Sequence, residues 1–129
     1  MPESAMHANE EQYPWELDPW DVHRPARIRV RTFLSVGHTA TSSLSVGVFE
    51  LPPGALLDPH RHRPQEVYYV TAGEAEVFLD GEWRPLRTGD VVYVPGDAVH
   101  GVRSRGEVTC TIVWAIPADS YDDIEYFRG

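Results

Sequence analysis

Four residues of this 129-residue chain have the types and spacing to do metal chemistry: His60, His62, Glu66 and His100. In an extended backbone, residues two apart face the same way, so His60 and His62 aim their imidazoles at one point. Glu66 follows after a further even step and keeps that facing provided the turn at Pro64 adds no bulge. His100 lies 34 residues beyond Glu66, past Pro95-Gly96 at the end of an apolar run. Three neutral imidazoles and one carboxylate form a nitrogen and oxygen set suited to Zn²⁺, Fe²⁺, Mn²⁺, Ni²⁺ or Co²⁺. The set lacks the all-oxygen character that calcium prefers. Histidines at i and i+2 are also common on exposed strands, so the pair alone does not make a site.

Tyr68 shares the parity of Glu66 and is expected to point inward beside such an ion, whereas Tyr69 points away. A phenol near a cation can act as general acid or base; it can equally be a core residue with one hydrogen bond. Arg61 and Arg63 alternate away from the histidines and read as solvated. Asp58 and Gln65 flank them and could hydrogen-bond histidine nitrogens. Trp114 and Phe49 read as core residues that could line a barrel. His7, His23 and His38 read as surface residues, and Cys110 as a buried small hydrophobe.

The elements that must position these groups read as strands. Ile28–Leu34 alternates apolar residues with Arg27, Arg29 and Arg31, a period of two that gives one dry face and one wet arginine face of the kind found on a solvated edge. Further strands are predicted at Leu44–Leu51, Glu66–Val70, Val91–Val94 and Val108–Ile116. Ala75–Leu79 and Glu82–Leu86 form a hairpin about Asp80-Gly81, a pair suited to a two-residue primed turn. Strands recurring about every ten residues, with Gly and Pro between them, predict an all-β sandwich or barrel. Residues 1–25 read as an irregular N-terminal arm, flexible up to about Asn9. Its Trp15, Leu17 and Trp20 form an apolar strap over the same domain or an arm reaching a second subunit. Residues 26–118 form the barrel and 119–129 a tail with room for one helical turn.

Composition excludes several chemistries. All 11 basic residues are arginine, so a lysine Schiff base, pyridoxal attachment and a Gly-Lys phosphate loop are ruled out. One cysteine rules out an internal disulfide, a multi-thiolate zinc site and an iron–sulfur cluster, and fits a reducing cytosol. A net charge of −9 argues against a nucleic-acid partner. No run of about 18 apolar residues and no leader pattern at Met1 is present, so a soluble, cytoplasmic protein with no membrane partner is expected.

The histidine segment resembles the cupin family. Gly54, His60, His62, Glu66 and Gly73 match the family's first motif, G-x5-H-x-H-x3,4-E-x6-G, at every position. Gly89, Pro95 and His100 match its second, G-x5-P-x-G-x2-H-x3-N, while Asp97 stands for the glycine and Ser104 for the asparagine. The resemblance spans about residues 28 to 116. It implies a single-domain jelly-roll β-barrel with one divalent transition metal held by His60, His62, Glu66 and His100. A 2+ ion with one carboxylate leaves the site net positive and favours anionic oxygen donors. The cupin barrel hosts many chemistries; the inward Tyr68 favours redox-neutral lyase, isomerase or cyclase chemistry on a small oxygen-bearing, anionic substrate, with Tyr68 moving a proton. A non-haem iron dioxygenase and a non-catalytic small-molecule-binding cupin are the alternatives. Outward Phe78, the Ile28–Leu34 strand and the tryptophan arm offer apolar surface for a homodimer.

Overall fold

The computed structural model describes residues 5–18, 26–35, 43–119 and 125–128. Trp20, His23 and His38 lie outside the described residues. The described chain forms strands β1 (Glu16–Leu17), β2 (Arg29–Leu34), β3 (Ser45–Leu51), β4 (Leu56–Arg61), β5 (Glu66–Ala72) and β6 (Glu74–Leu79). It continues with β7 (Glu82–Arg87), β8 (Val91–Val94), β9 (His100–Ser104), β10 (Cys110–Ile116) and β11 (Phe127–Arg128). They make two antiparallel sheets, ordered β1-β2-β3-β10-β5-β8 and β11-β4-β9-β6-β7, the all-β jelly-roll arrangement the resemblance implies. No helix among the described residues is long and apolar enough to cross a membrane.

The period-two pattern decides which side chains meet between the sheets. Along β10, Cys110, Ile112, Trp114 and Ile116 are buried; along β5, Glu66, Tyr68 and Val70 are. These join Phe49, Leu51, Val77, Leu86 and Val102 in one apolar core. Asp80 and Gly81 adopt φ of 52° and 82°, the primed turn that the sequence predicts.

Four strands were not in the predicted series: the short terminal β1 and β11, and, for a backbone reason, β4 and β9. Pro59 lies inside β4 and cannot donate to a ladder, so it reads as a breaker. The register between β4 and β9 shifts between Leu57 and His60, and this irregularity accommodates it. Opposite it on β9, Gly101 has no side chain; a β-carbon there would lie 2.7 Å from the Leu57 carbonyl and 3.0 Å from the Pro59 nitrogen. The same register sets His60 directly across from His100.

The described part of the arm packs on the chain's own β2. β1 pairs with β2, and the guanidinium groups of Arg29 and Arg31 lie 4.5 and 4.3 Å from the Trp15 ring centroid. Arg31 also donates to the Tyr13 carbonyl, and Arg29 pairs with Glu50. The arginine row is thus a docking face for the arm, and β2 is not an edge. In the tail, the end forms β11 rather than a helical turn; residues 120–124 lie outside the described residues.

Gly73 makes the β5–β6 connection at φ 81° with the Thr109 carbonyl where a β-carbon would stand, whereas a β-carbon at Gly81, at φ 82°, would meet open space. Gly73→Ala is expected to destabilise by about 3 kcal/mol and Gly81→Ala by about 1 kcal/mol, because only the first adds a backbone clash to the left-handed strain. Urea unfolding of the two variants measures the difference; equal losses would show that close packing at Gly73 is unimportant.

Candidate metal centre

The histidines are presented by three adjacent pieces of backbone. His60 lies within β4, His62 just beyond its end, Glu66 opens β5 and His100 opens β9. Their exposures are 2%, 1%, 6% and 0%. Each imidazole places Nδ1 on a main-chain carbonyl two residues away: His60 on Asp58 at 2.8 Å, His62 on Pro64 at 2.8 Å and His100 on Ala98 at 2.9 Å. A carbonyl can only accept, so each Nδ1 carries the hydrogen, and each Nε2 of a neutral ring presents a lone pair.

One ring nitrogen from each of the three histidines lies within 4.8 Å of the others. The Glu66 Oε1 lies 3.2 Å from Nε2 of both His62 and His100. With Nδ1 already protonated, a neutral ring would face lone pair against carboxylate there. A positive charge must therefore sit among these atoms, as a proton or as a metal ion. The donor set, three imidazole nitrogens and one carboxylate, fits a divalent transition metal.

Tyr68 is 1% exposed, as its parity with Glu66 requires, while Tyr69 is 48% exposed. The Tyr68 ring lies edge-on to Phe49 at 5.7 Å and 6.2 Å from the His100 ring. It lines the same cavity as His60 and Glu66, together with Phe49 and Trp114. The space between these groups, counted with its opening to solvent, is about 430 Å³.

Two cavity residues were not singled out in the sequence. Asp18, buried at 5% exposure, comes from the arm, and Tyr126 from the tail, its ring 5.3 Å from those of both His60 and His62. Neither belongs to a motif, and both reach the cavity only because the two termini fold back over the barrel. Other expectations resolve simply. Asp58 holds His60 through its carbonyl, and Gln65 accepts from the Tyr93 hydroxyl at 2.6 Å. Arg63 is exposed, and Arg61 pairs with Asp97 at 3.3 Å on the outside. Asp97 has φ 63°, so an aspartate adopts the left-handed turn that the motif assigns to glycine.

Electrostatics follow the geometry. Burial, and then repulsion from His100, lowers the His60 pKa from 6.5 to about 4. Burial opposes charge on His62 as well, but the hydrogen bond and charge of Glu66 outweigh it and raise that pKa. Burial alone would raise Glu66; its contacts with His100 and His62 outweigh burial and hold it below the usual carboxylate value.

Residues 47–116 match the Cupin domain family. Over 99 residues the chain is 34% identical to dimethylsulfoniopropionate lyase DddW of Ruegeria pomeroyi, covering 77% of this chain and 64% of that protein. It thus spans just under two thirds of that relative's length. Among solved structures, the polyketide cyclase RemF from Streptomyces resistomycificus superposes with a TM-score of 0.79 at 17% identity, over 97% of this chain and 85% of that one. The lyase DddQ from Ruegeria pomeroyi superposes with a TM-score of 0.72 at 24% identity, over 89% and 61%. These two likenesses are of fold.

For the metal-free protein, the His60 shift sets the direction of acid sensitivity. Its folded pKa lies below its unfolded value, so from pH 6.5 down to about 4 the unfolded chain binds the proton first and stability falls. His62, raised in the fold, contributes fully throughout that window and fades only as pH rises above it. Urea unfolding at pH 7 and pH 5 should show a loss of about 2 kcal/mol on acidification, most of it absent in His60→Gln. An unchanged slope in that variant would remove His60 as the cause.

Proposed function

The chain belongs to the cupin domain family, and on that premise we propose that it is a metal-dependent enzyme. Its reaction is redox-neutral lyase- or cyclase-type chemistry on a small oxygen-bearing, anionic organic substrate. His60, His62, Glu66 and His100 are the proposed ligands of one divalent ion, which when bound would act as a Lewis acid on a substrate carboxylate or carbonyl. The observation that carries this reading is the set of three buried imidazoles whose Nδ1 hydrogens are tied to carbonyls and whose ring nitrogens cluster within 4.8 Å, with the Glu66 carboxylate against two of them.

Each of the chain's own groups then has a task. The carbonyls of Asp58, Pro64 and Ala98 hold the three rings in one tautomer and orientation. Phe49 and Trp114 exclude bulk water from the cavity. Tyr68, beside His60 and Glu66, is the proposed proton-transfer residue: its phenol oxygen takes or returns the proton at the reacting carbon. The lyase name of the 34% identical relative supports the redox-neutral reading and makes dimethylsulfoniopropionate the first substrate to assay.

Protein purified without added metal should contain about one divalent ion per chain by elemental analysis. Turnover should proceed with no oxygen uptake, and uptake coupled to turnover would favour the dioxygenase instead. Tyr68→Phe should keep the metal and lower kcat by about 10²- to 10⁴-fold; near-normal turnover with metal bound would remove Tyr68 from the mechanism.

We also propose that the protein is a homodimer, through a face other than the expected one. Phe78 packs on Trp83 at 5.3 Å, and the arm covers β2. The outer face of β5 and edge strand β8 instead exposes Val67 (40%), Tyr69 (48%), Val91 (68%) and Tyr93 (57%) as register pairs. None of the four carries charge in a chain of net −9, so two copies can meet there without repulsion. Light scattering should give twice 14.6 kDa, and Val91→Glu should give the monomer mass. A monomeric parent protein would overturn the proposal.

A further inference from the structure

The strand formed near the C-terminus lies along the strand that carries His60. Phe127 and Arg128 of β11 pair with Arg61 and His60 of β4, and that register, continued by one residue, sets Tyr126 opposite His62. Directly opposed residues turn their side chains to the same face. Tyr126 accordingly turns inward with the histidines: its ring lies 5.3 Å from those of both His60 and His62 and lines the cavity. Phe127 turns outward, with the Arg61 guanidinium 4.7 Å from its ring centroid. Arg61 also holds Asp97 at 3.3 Å, and the Asp97 N–H donates to the His62 carbonyl at 2.8 Å. One outward arginine thus joins the tail to the ligand-bearing strand and to the turn before His100.

The seat of this tail is small. A two-residue ladder and an exposed arginine–aromatic contact each contribute little, so β11 belongs to the segments that open locally while the barrel stays folded. A buried ion leaves by shedding its ligands one at a time to water or to a competing donor. His60 and His62, almost wholly buried, cannot swing away while the Tyr126 ring lies against both. We propose that β11 with Tyr126 is a latch whose opening sets the rate at which the metal centre exchanges its ion, and that Arg61 and Phe127 are its outer fastening. The ladder and the Arg61–Phe127 contact involve no ligating atom, so they hold the loaded and unloaded protein alike. Opening then speeds uptake and release together and leaves affinity unchanged. The inference rests on the metal-centre reading above and adds the control of metal exchange to it.

Stopped-flow measurement on the full chain tests this, reading Zn²⁺ release to a chromogenic chelator and Zn²⁺ uptake by the stripped protein. Arg61→Ala and Phe127→Ala, both outside the cavity, should each speed both steps about two- to fivefold with Kd unchanged. Because they break one contact, the double variant should be no faster than the faster single one. The reverse test locks the latch. Arg61→Cys with Phe127→Cys puts two thiols on a register pair, at the α-carbon separation of about 4.4–6.8 Å that a disulfide spans. Cys110 is buried and does not compete. The oxidised form should release Zn²⁺ about tenfold more slowly than the reduced form of the same protein. Thermal unfolding confirms that each variant folds. Unchanged rates in both single variants, or equal rates in the oxidised and reduced forms, would overturn the latch. Faster release without faster uptake would overturn it too, by showing that the tail positions ligands instead. A parent protein that takes up no Zn²⁺ sinks the metal-centre reading itself, whereas one that loads a single ion and ignores β11 sinks only the latch.

Discussion

The hydrogen bonds from three histidine Nδ1 groups to the carbonyls of Asp58, Pro64 and Ala98 determine what the cavity can hold. Each fixes the tautomer of a buried ring, and a buried ring with its hydrogen on Nδ1 can offer only a lone pair from Nε2. Three such nitrogens cluster, two of them 3.2 Å from the Glu66 carboxylate, and a proton or a metal ion must stand between lone pair and carboxylate. A polar cluster of that kind is tolerable in an apolar core only when a cation completes it. The acid sensitivity of His60 has the same origin, since burial resists a proton on the ring that a metal ion would stabilise without one.

The backbone irregularities around this cluster serve the convergence. Regular pairing of β4 with β9 would need an N–H at Pro59 and room for a side chain at Gly101. The register shift removes the first requirement and the glycine the second, and His60 meets His100 across the ladder as a result. The left-handed Asp97 sits beside the same region, and its N–H donates to the His62 carbonyl at 2.8 Å. The turn before His100 is thereby tied to the segment carrying His62, and two distant parts of the chain hold one set of ligands in place.

The termini complete the cavity. β1 adds to one sheet through the stacking of Arg29 and Arg31 on Trp15, and β11 pairs with β4 in the other. Between them they deliver Asp18 and Tyr126 to the walls. The barrel supplies the histidines and Tyr68, while the two chain ends supply groups that bear on which ligand fits. Such end segments can change without disturbing the barrel's packing, which suits one scaffold to several substrates.

Much of this was legible in the sequence because it depends on short-range rules. Period-two alternation identified the core faces of β5 and β10 and the inward turn of Tyr68. Asp80-Gly81 specified its primed turn, and the spacing of His60, His62 and Glu66 placed three donors on one side of a local segment. Convergence of His100 on those three came from the resemblance rather than the spacing, because nothing local measures a separation of 34 residues. β4 and β9 were hidden because Pro59 and Gly101 break the pattern of a regular strand, and only pairing across the sheet reveals that each compensates for the other. The Nδ1 tautomers, Asp18 and Tyr126 were decided by the tertiary structure alone. Each depends on which carbonyl or cavity wall lies near in space, and the chain's local periodicity carries no information about that.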